Sequence, residues 1–343
     1  MLPYVKQLVR VLSERLGWNR ARLKLMARMM RALPIQTTTN LAELAQVMKP
    51  QVETESTYRR LQRFFAGFAF GYEALGQFLL ELVPSDPPYV VVVDRTEWHF
   101  GQTAVNVLMV GVAYEGIAFP IAWTTLGHGG GSGADEHAEV LDQFLRVVEP
   151  DQIQALVADR EFTGSNFLEE LKARKVPFVI RLKSDRRVGP LSEGWSLPAR
   201  MFGRTCGLQQ SSLLGGNQVV GGAETVEVQV GIKRLEDGSF LILAGQGIDP
   251  DSMFELYRQR WEIETLFAVL KSRGFGLEET HLTEPDRIRK LLGVLALTYS
   301  WTRIVGLDRK RREGSPRVCA NGYPEKSLFR YGLDRLKELL TNW

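Results

Sequence analysis

The sequence has few residues from which thiolate or imidazole metal sites are built. It contains two cysteines and four histidines among 343 residues. Cys206 and Cys319 stand alone, without the spacing of a zinc or redox motif. The histidines also lack metal-ligand spacing. We therefore predict that both thiols are passive and that no metal site is built on cysteine or histidine.

Long hydrophobic runs are also missing. No apolar segment reaches the length that crosses a membrane, and the N-terminal residues lack the apolar core of a signal peptide. Hydrophobic residues make up 44% of the chain and charged residues 24%, as in an ordinary soluble protein. We expect a cytoplasmic protein with no membrane partner, large enough for two or three domains.

Acidic residues are scarce at both ends of the chain and abundant between them. Residues 1–85 carry 12 Lys/Arg against 6 Asp/Glu, and residues 303–343 carry 10 against 5. Because the whole chain has a net charge of +3, residues 86–302 have a net charge of −8. Basic ends around an acidic centre are typical of a protein that binds a polyanion and holds metal with carboxylates. Chance segregation of charge is the alternative.

Apolar residues recur at helical spacing throughout residues 1–83. The third and fourth predicted helices resemble a helix-turn-helix, although their connection, 49–55, is long for that motif. In that interpretation the fourth helix presents Arg59, Arg60 and Arg63 to DNA. A small helical bundle with a basic face is the alternative. The five predicted helices are 5–16, 20–33, 41–48, 56–65 and 72–82.

The hydrophobic period changes after a proline-rich breaker at 84–88, which we take as a domain boundary. A β-branched run typical of a strand buried on both faces follows and ends on Asp94. Another short apolar strand ends on Asp159, and a glycine-rich segment, 127–133, is predicted as a flexible loop. The predicted strands are 89–93, 104–114, 117–123, 155–158 and 178–182, with a tight hairpin at Glu115-Gly116 and helices at 135–148 and 165–174.

A helix is predicted at 251–271, after a β-rich insertion at 184–250. Four of its side chains fall within an arc of about 60° on one face. They are Tyr257, Arg260, Glu264 and Lys271, and Trp261 borders them. Apolar residues occupy another side, so the helix can bury one stripe and present the other. A solvated charged face is the alternative, but such faces seldom collect aromatic residues.

This order of elements indicates an α/β fold with a ribonuclease-H-like mixed-sheet core. Adjacent parallel strands place Asp94 and Asp159 side by side, and a helix packed across them brings Glu264 over the gap. Such a cluster requires a cation, and its oxygen ligands suit Mg²⁺ or Mn²⁺. Two ions about 3.5–4 Å apart would serve phosphodiester chemistry.

The chain therefore divides into four predicted regions. A helical DNA-binding domain spans 1–83, and the catalytic core comprises 84–183 and 251–303. The β-rich insertion, 184–250, interrupts that core. The C-terminal helical region, 304–343, includes a basic run at 309–312 that is either a solvated turn or a phosphate contact, and a short helix at 331–340. The long apolar helix before it is predicted at 284–303.

At these residues the sequence resembles the DDE transposases of insertion sequences. Tyr257, Arg260, Glu264 and Lys271 match the Tyr-x2-Arg-x3-Glu-x6-Lys signature of insertion sequence family four at every spacing. The Asp159-Arg160-Glu161 triplet, Val92-Val93-Asp94 and the Phe-Val-Ile-Arg run at 178–181 are also similar to that family. The similarity covers about residues 40–300.

The resemblance implies roles for individual residues. Asp94, Asp159 and Glu264 would bind divalent metal, Mg²⁺ or Mn²⁺, as two ions per active site. Tyr257, Arg260 and Lys271 would hold a DNA phosphate near the end of the non-transferred strand. Trp261 would hold a flipped base during hairpin formation, whereas a second family Trp is replaced here by Phe240. Apart from the resemblance, Arg181 and Lys183 at a strand end are candidate contacts to DNA phosphates, with ordinary surface charge as the alternative. Arg160 and Glu161 are expected to pair with signature residues.

The resemblance also implies partners. They are double-stranded DNA, as terminal inverted repeats and as target, and a second copy of the chain in a synaptic complex. The segment 325–343 is a candidate contact surface between the copies. Alternatives are a structure-selective nuclease without strand transfer, a catalytically silent DNA-binding descendant, and a carboxylate-based sugar hydrolase.

Overall fold

The computed structural model describes residues 3–48, 53–190, 194–214, 218–221, 225–320, 322 and 324–341. None of the helices within these ranges combines the length and the apolarity needed to span a membrane. Residues 49–52 of the predicted helix-turn-helix connection and residues 342 and 343 of the candidate dimer surface lie outside these ranges.

Helices form both ends of the described chain and cover the central sheet. Five precede the sheet, as the helical periodicity predicts, and the last two follow it. They are α1 Pro3–Leu16, α2 Arg20–Gln36, α3 Leu41–Met48, α4 Thr54–Gly67, α5 Tyr72–Glu81, α6 Ala134–Leu145, α7 Ser165–Ala173, α8 Met253–Arg258, α9 Trp261–Ala268, α10 Pro285–Glu313 and α11 Leu328–Thr341.

The strands are β1 Tyr89–Phe100, β2 Thr103–Tyr114, β3 Ile117–Leu126, β4 Ile153–Ala158, β5 Phe178–Arg181, β6 Arg187–Pro190, β7 Leu197–Pro198, β8 Ser211–Leu213, β9 Gln218–Gly221, β10 Thr225–Arg234 and β11 Phe240–Gln246. Their order in the sheet is β3-β2-β1-β4-β5-β11-β10-β9-β6-β7, and β8 also pairs with β10. The β1–β4 and β4–β5 pairs are parallel and the first three strands are antiparallel, which makes a mixed sheet compatible with a ribonuclease-H-like core.

The predicted hairpin at Glu115-Gly116 is confirmed. Both residues have positive φ, 48° and 81°, as a two-residue type I′ turn requires, because its twist matches that of the flanking strands. The strands of the β-rich segment do not stand apart from the central sheet. β11 pairs antiparallel with β5 and β10 pairs with β11, so both extend that sheet.

The helix α10 is largely buried between the other helices and the sheet. Its Tyr299 hydroxyl, fully buried, donates to the carbonyl of Ala118 on β3 at 3.0 Å. It crosses α11 at two glycines, where a Cβ on Gly332 would lie 2.1 Å from the carbonyl oxygen of Thr302. Only glycine permits that approach. The helix continues ten residues beyond the predicted end at Arg303, so the basic run at 309–312 lies in its last turns rather than in a turn.

Candidate active site

Asp94 and Asp159 lie side by side where the parallel pairing of two adjacent strands ends. The parallel pairing of β1 and β4 ends at Val93 and Ala158, and the two aspartates come directly after these residues. Paired strands lie about 4.8 Å apart, so their next side chains are neighbours. The strand predicted to end at Asp94 in fact continues to Phe100, because β1 still pairs with β2 after it has left β4.

The signature residues lie on a broken helix rather than on the single helix predicted at 251–271. α8 ends at Arg258 and α9 begins at Trp261, with Gln259 and Arg260 forming the turn between them. After α9 the chain continues as a π-helical segment, Val269–Arg273. The apolar stripe is preserved across the break, which is why hydrophobic periodicity does not reveal it.

Arg260 links two of the three carboxylates. Its Nη1 donates to Asp94 Oδ2 at 3.2 Å, and its Nη2 donates to Glu264 Oε1 at 2.5 Å. The Arg260 side chain is only 11% exposed. A planar guanidinium presents its donors in a rigid fork, so its two terminal nitrogens can each contact a different carboxylate. Asp94 and Glu264 therefore face each other across one cation.

Asp159 is held by different partners. The Tyr257 hydroxyl donates to Asp159 Oδ1 at 3.3 Å, and Arg181 Nη1 lies 3.8 Å from the same oxygen. Burial raises the pKa of Tyr257 to about 12, and the charge of Asp159 adds to the rise. The phenol consequently remains a hydrogen-bond donor throughout the physiological range.

Lys271 lies beside β1 rather than on the carboxylates. Its Nζ donates to the backbone carbonyl of Glu97 at 2.9 Å and pairs with Glu278 at 3.0 Å. It also lies 5.8 Å from the ring centroid of Trp98. Trp261, in contrast, is 63% exposed at the start of α9, and the Arg260 guanidinium lies 5.8 Å from the centroid of its ring.

The glycine-rich segment 127–133, predicted as a flexible loop, is anchored beside the site. The Gly130 N–H donates to Glu97 at 3.0 Å, and the Ser132 N–H donates to Glu161 at 2.9 Å. Arg95 joins these anchors, because it donates to Glu161 and to Glu97, each at 2.9 Å. The expected pairing of Glu161 with a signature residue is therefore wrong. Its cationic partner, Arg95, follows Asp94 directly.

The remaining predicted residues lie away from this cluster or on the N-terminal helices. Lys183 is exposed just beyond β5. Phe240 opens β11 and packs against Gly203, whose missing Cβ would lie 2.7 Å from the phenyl ring. This packing engages the ring that would replace the second family Trp. Arg59, Arg60 and Arg63 lie on α4, where they are exposed.

Burial and like charge disturb the ionisation of Asp94. Burial raises its pKa to about 6, and the charges of Glu264 and Asp159 add to the rise. The backbone N–H of Arg95 and the guanidinium of Arg260 oppose it. At neutral pH the ionised Asp94 carboxylate therefore destabilises the folded chain.

We expect the Asp94→Asn variant to be more stable than the wild type in chelator at neutral pH. Because folding raises the pKa of Asp94 from 3.8 to about 6, the folded chain binds this proton more tightly than the unfolded chain does. Ionisation therefore lowers the free energy of unfolding as pH rises through that window. The effect is about 3 kcal/mol at most, before the lost contact with Arg260 is subtracted.

Melting temperatures of both proteins between pH 4 and pH 8 check this prediction. The difference between them should open between about pH 4 and pH 6 and stay level above. An advantage for the variant that is independent of pH, or no advantage at all, would contradict the account of Asp94.

The three carboxylates have the chemistry that a hard divalent cation prefers. Nevertheless, nowhere in the described ranges do three Asp, Glu, His or Cys side chains come close enough together to hold one ion. Arg260 lies between Asp94 and Glu264 instead. In this arrangement the three carboxylates cannot bind one ion together. They could do so only after the Arg260 side chain has moved away from Asp94 and Glu264.

A comparison with known protein families matches the part of the chain that contains this site. A family model described as "Transposase DDE domain" matches residues 85–301, more than half of the chain. The match includes all three carboxylates and the four signature positions. The chain belongs to this transposase family. A search of curated proteins found no match to the chain.

Membership of the family gives this transposase a general activity, a macromolecular partner and a class of cofactor. It is a DDE transposase that acts on DNA and depends on a divalent metal. The helices α1 to α5 and α11 lie outside the matched residues. The sequence did not reveal Arg95, Ser132 or the anchored loop, because their contacts join residues up to 66 positions apart.

Proposed function

We propose that this transposase cuts the terminal inverted repeats of an insertion sequence and joins the cut end to target DNA by a cut-and-paste route, as a member of the group with the Tyr-Arg-Glu-Lys signature. One observation carries the proposal. A single broken helix places Tyr257, Arg260 and Glu264 against Asp94 and Asp159 at one edge of the sheet.

In this proposal the three carboxylates hold two Mg²⁺ or Mn²⁺ ions when DNA is bound. Divalent ions would activate the attacking oxygen and stabilise the leaving oxygen of a phosphodiester. The protein's own contribution is to fix the acids. β1 and β4 fix Asp94 and Asp159, and α9 fixes Glu264, so each is positioned by a different element.

The cations of the site are proposed to grip the DNA backbone. Arg260 exchanges its two carboxylates for a phosphate, which a guanidinium can bind through two parallel hydrogen bonds. Tyr257, Lys271, Arg181 and Lys183 are proposed as further phosphate contacts. The Tyr257 hydroxyl is suited to this role because its raised pKa keeps its proton in place.

A hairpin intermediate is part of the proposal and depends on Trp261. Hairpin formation requires a base to leave the stack, and an exposed indole supplies the surface on which it stacks. Trp261 has that exposure. Phe240 is proposed as a weaker second platform, since its ring already packs on Gly203.

We also propose which function each region of the chain performs. Residues 1–83 bind the DNA ends, 84–183 with 251–303 form the catalytic core, and 184–250 is an insertion into it. The region 304–343 pairs two copies in the synaptic complex, with 325–343 as the contact surface. The amphipathic helix α11 lies in that surface.

Incubating the transposase with the ends of its own element, target DNA and Mg²⁺ or Mn²⁺ tests this function. We expect strand cleavage at the repeat boundary, hairpin products on a denaturing gel and joined products with target, all lost in EDTA. Cleavage without joining would replace the proposal with a structure-selective nuclease. Cleavage that persists in EDTA would contradict the metal-dependent mechanism.

A further inference from the structure

The helix α2 is entirely basic in its charged residues. It carries Arg20, Arg22, Lys24, Arg28 and Arg31 and no Asp or Glu. Among the N-terminal helices, the sequence indicates DNA-contacting side chains on α4 alone. In the fold, α2 supplies more cations than α4 to the same concave surface, so the basic surface of the N-terminal helices is a cleft rather than one helix face.

This α2/α4 cleft has a volume of about 680 Å³. Arg22, Lys24 and Arg28 are half-buried on one wall, and Arg60 and Arg63 are exposed on the other. Asn19, Ala21 and Leu25 complete the lining. None of the described residues that line the cleft is aromatic, and the nearby Phe68 ring lies 5.8 Å from the Arg22 guanidinium. The described lining therefore offers no stacking surface for a base and no aromatic anchor typical of protein interfaces.

The cations of the α2/α4 cleft have no counterions among the residues that the structure describes. Within the part of the chain that the structure describes, none of its five basic side chains lies in an ion pair with Asp or Glu. Other arginines of the N-terminal helices do, since Arg10 of α1 pairs with Glu14 at 3.0 Å and Arg59 of α4 with Glu55 at 2.8 Å. Burial lowers the pKa of Arg28, and the charge of Arg60 lowers it further. Positively charged side chains of α2 and α4 therefore face each other across the cleft without an acidic partner among the described residues.

We propose that the α2/α4 cleft binds the phosphodiester backbone of duplex DNA without reading its sequence. The proposal rests on the proposed function, because it assigns the DNA grip of the N-terminal helices. Phosphates supply the missing counterions, and guanidinium forks match their geometry. Polar walls without aromatic groups favour phosphates over bases. Phosphate contacts of this kind set the register of the duplex and leave sequence recognition to other residues.

The test measures binding of the full-length protein to a fluorescent duplex of random sequence, in EDTA, over a range of salt concentrations. We expect the Arg28→Gln/Arg60→Gln variant to make the negative slope of log K against log salt less steep by about two, since each phosphate contact contributes about −0.9. The same loss should occur on a duplex that carries the element end. Arg10→Gln, an exposed and paired arginine of α1, should leave the slope unchanged.

Melting temperatures separate loss of contact from loss of fold. Because the variant removes repulsion between Arg28 and Arg60, it should melt at or above the wild-type temperature. An unchanged salt slope, or a loss confined to the element end, would overturn the proposal. So would displacement of the duplex by polyglutamate as efficiently as by unlabelled DNA, because that result indicates an acidic protein partner.

The result of this binding test does not depend on the proposed cleavage and joining reactions. In EDTA no metal-dependent cleavage takes place, so binding is measured alone. A wild type that binds through the α2/α4 cleft but never cuts its ends would refute the proposed function and leave the cleft intact. A wild type that cuts normally, with variants whose salt slope is unchanged, would refute the cleft alone.

Discussion

Replacing Glu264 with Gln is expected to abolish strand cleavage and to leave DNA binding intact. The substitution preserves the shape of the side chain but removes the charge that a divalent ion requires. Because metal assistance supplies several kcal/mol to phosphodiester cleavage, the rate should fall by about 10³-fold or more. Asp94→Asn and Asp159→Asn should have the same effect, since each acid comes from a different element of one site.

Glu255→Gln is the matched control for this loss. Glu255 lies on α8, in the same broken helix, but it is exposed and pairs with Arg258 at 2.7 Å, away from the three acids. We expect wild-type cleavage from this variant. Strand cleavage on a denaturing gel and duplex binding by fluorescence anisotropy measure both quantities. A Glu264→Gln protein that still nicks its DNA would refute the assignment of the three acids.

Removing Arg260 is expected to destabilise the metal-free protein and to increase the stabilisation that divalent ions provide. In Arg260→Gln, Asp94 and Glu264 lose the guanidinium that they share. Breaking a buried pair leaves an uncompensated charge that costs about 3–5 kcal/mol. Because Glu264 is 34% exposed, we expect about 2 kcal/mol in chelator.

A divalent ion should then restore more stability to the variant than it adds to the wild type. An ion that binds only the folded state stabilises it by mass action, and in the variant no guanidinium competes for the carboxylates. Melting temperatures in EDTA and in increasing Mn²⁺ measure this difference. Cleavage should nevertheless fall, because the phosphate loses its two-pronged donor.

Arg258→Gln is the control for the Arg260 variant. Arg258 is exposed and pairs only with Glu255, so its loss should change neither the melting temperature nor the response to Mn²⁺. If Arg260→Gln also melted like the wild type and gained nothing extra from Mn²⁺, Arg260 would not be the counterion of this site.

Much of the site could be predicted from sequence because its signals are local. The β-branched run before Asp94 and the apolar strand before Asp159 each lie within one element, and the spacing from Tyr257 to Lys271 lies within 15 consecutive residues. Parallel pairing then brings the first two acids together by a general property of sheets. The type I′ hairpin and the first five helices were readable for the same reason.

The contacts that complete the site could not be predicted in this way. Arg95 meets Glu161 across 66 positions of sequence. The α2/α4 cleft forms only when two helices separated by α3 in the chain line one concave surface. The break at Gln259 leaves the apolar stripe in register, and the continuation of β1 past Asp94 depends on its second neighbour, β2. Tertiary packing decides each of these features.

The most direct test of the account is a crystal structure of the transposase with its element end and Mn²⁺, with the ions located by anomalous scattering. We expect Mn²⁺ ligated jointly by Asp94, Asp159 and Glu264, with the Arg260 guanidinium moved from the acids to a DNA phosphate. Mn²⁺ bound elsewhere, with Arg260 still bridging Asp94 and Glu264 beside bound DNA, would contradict it.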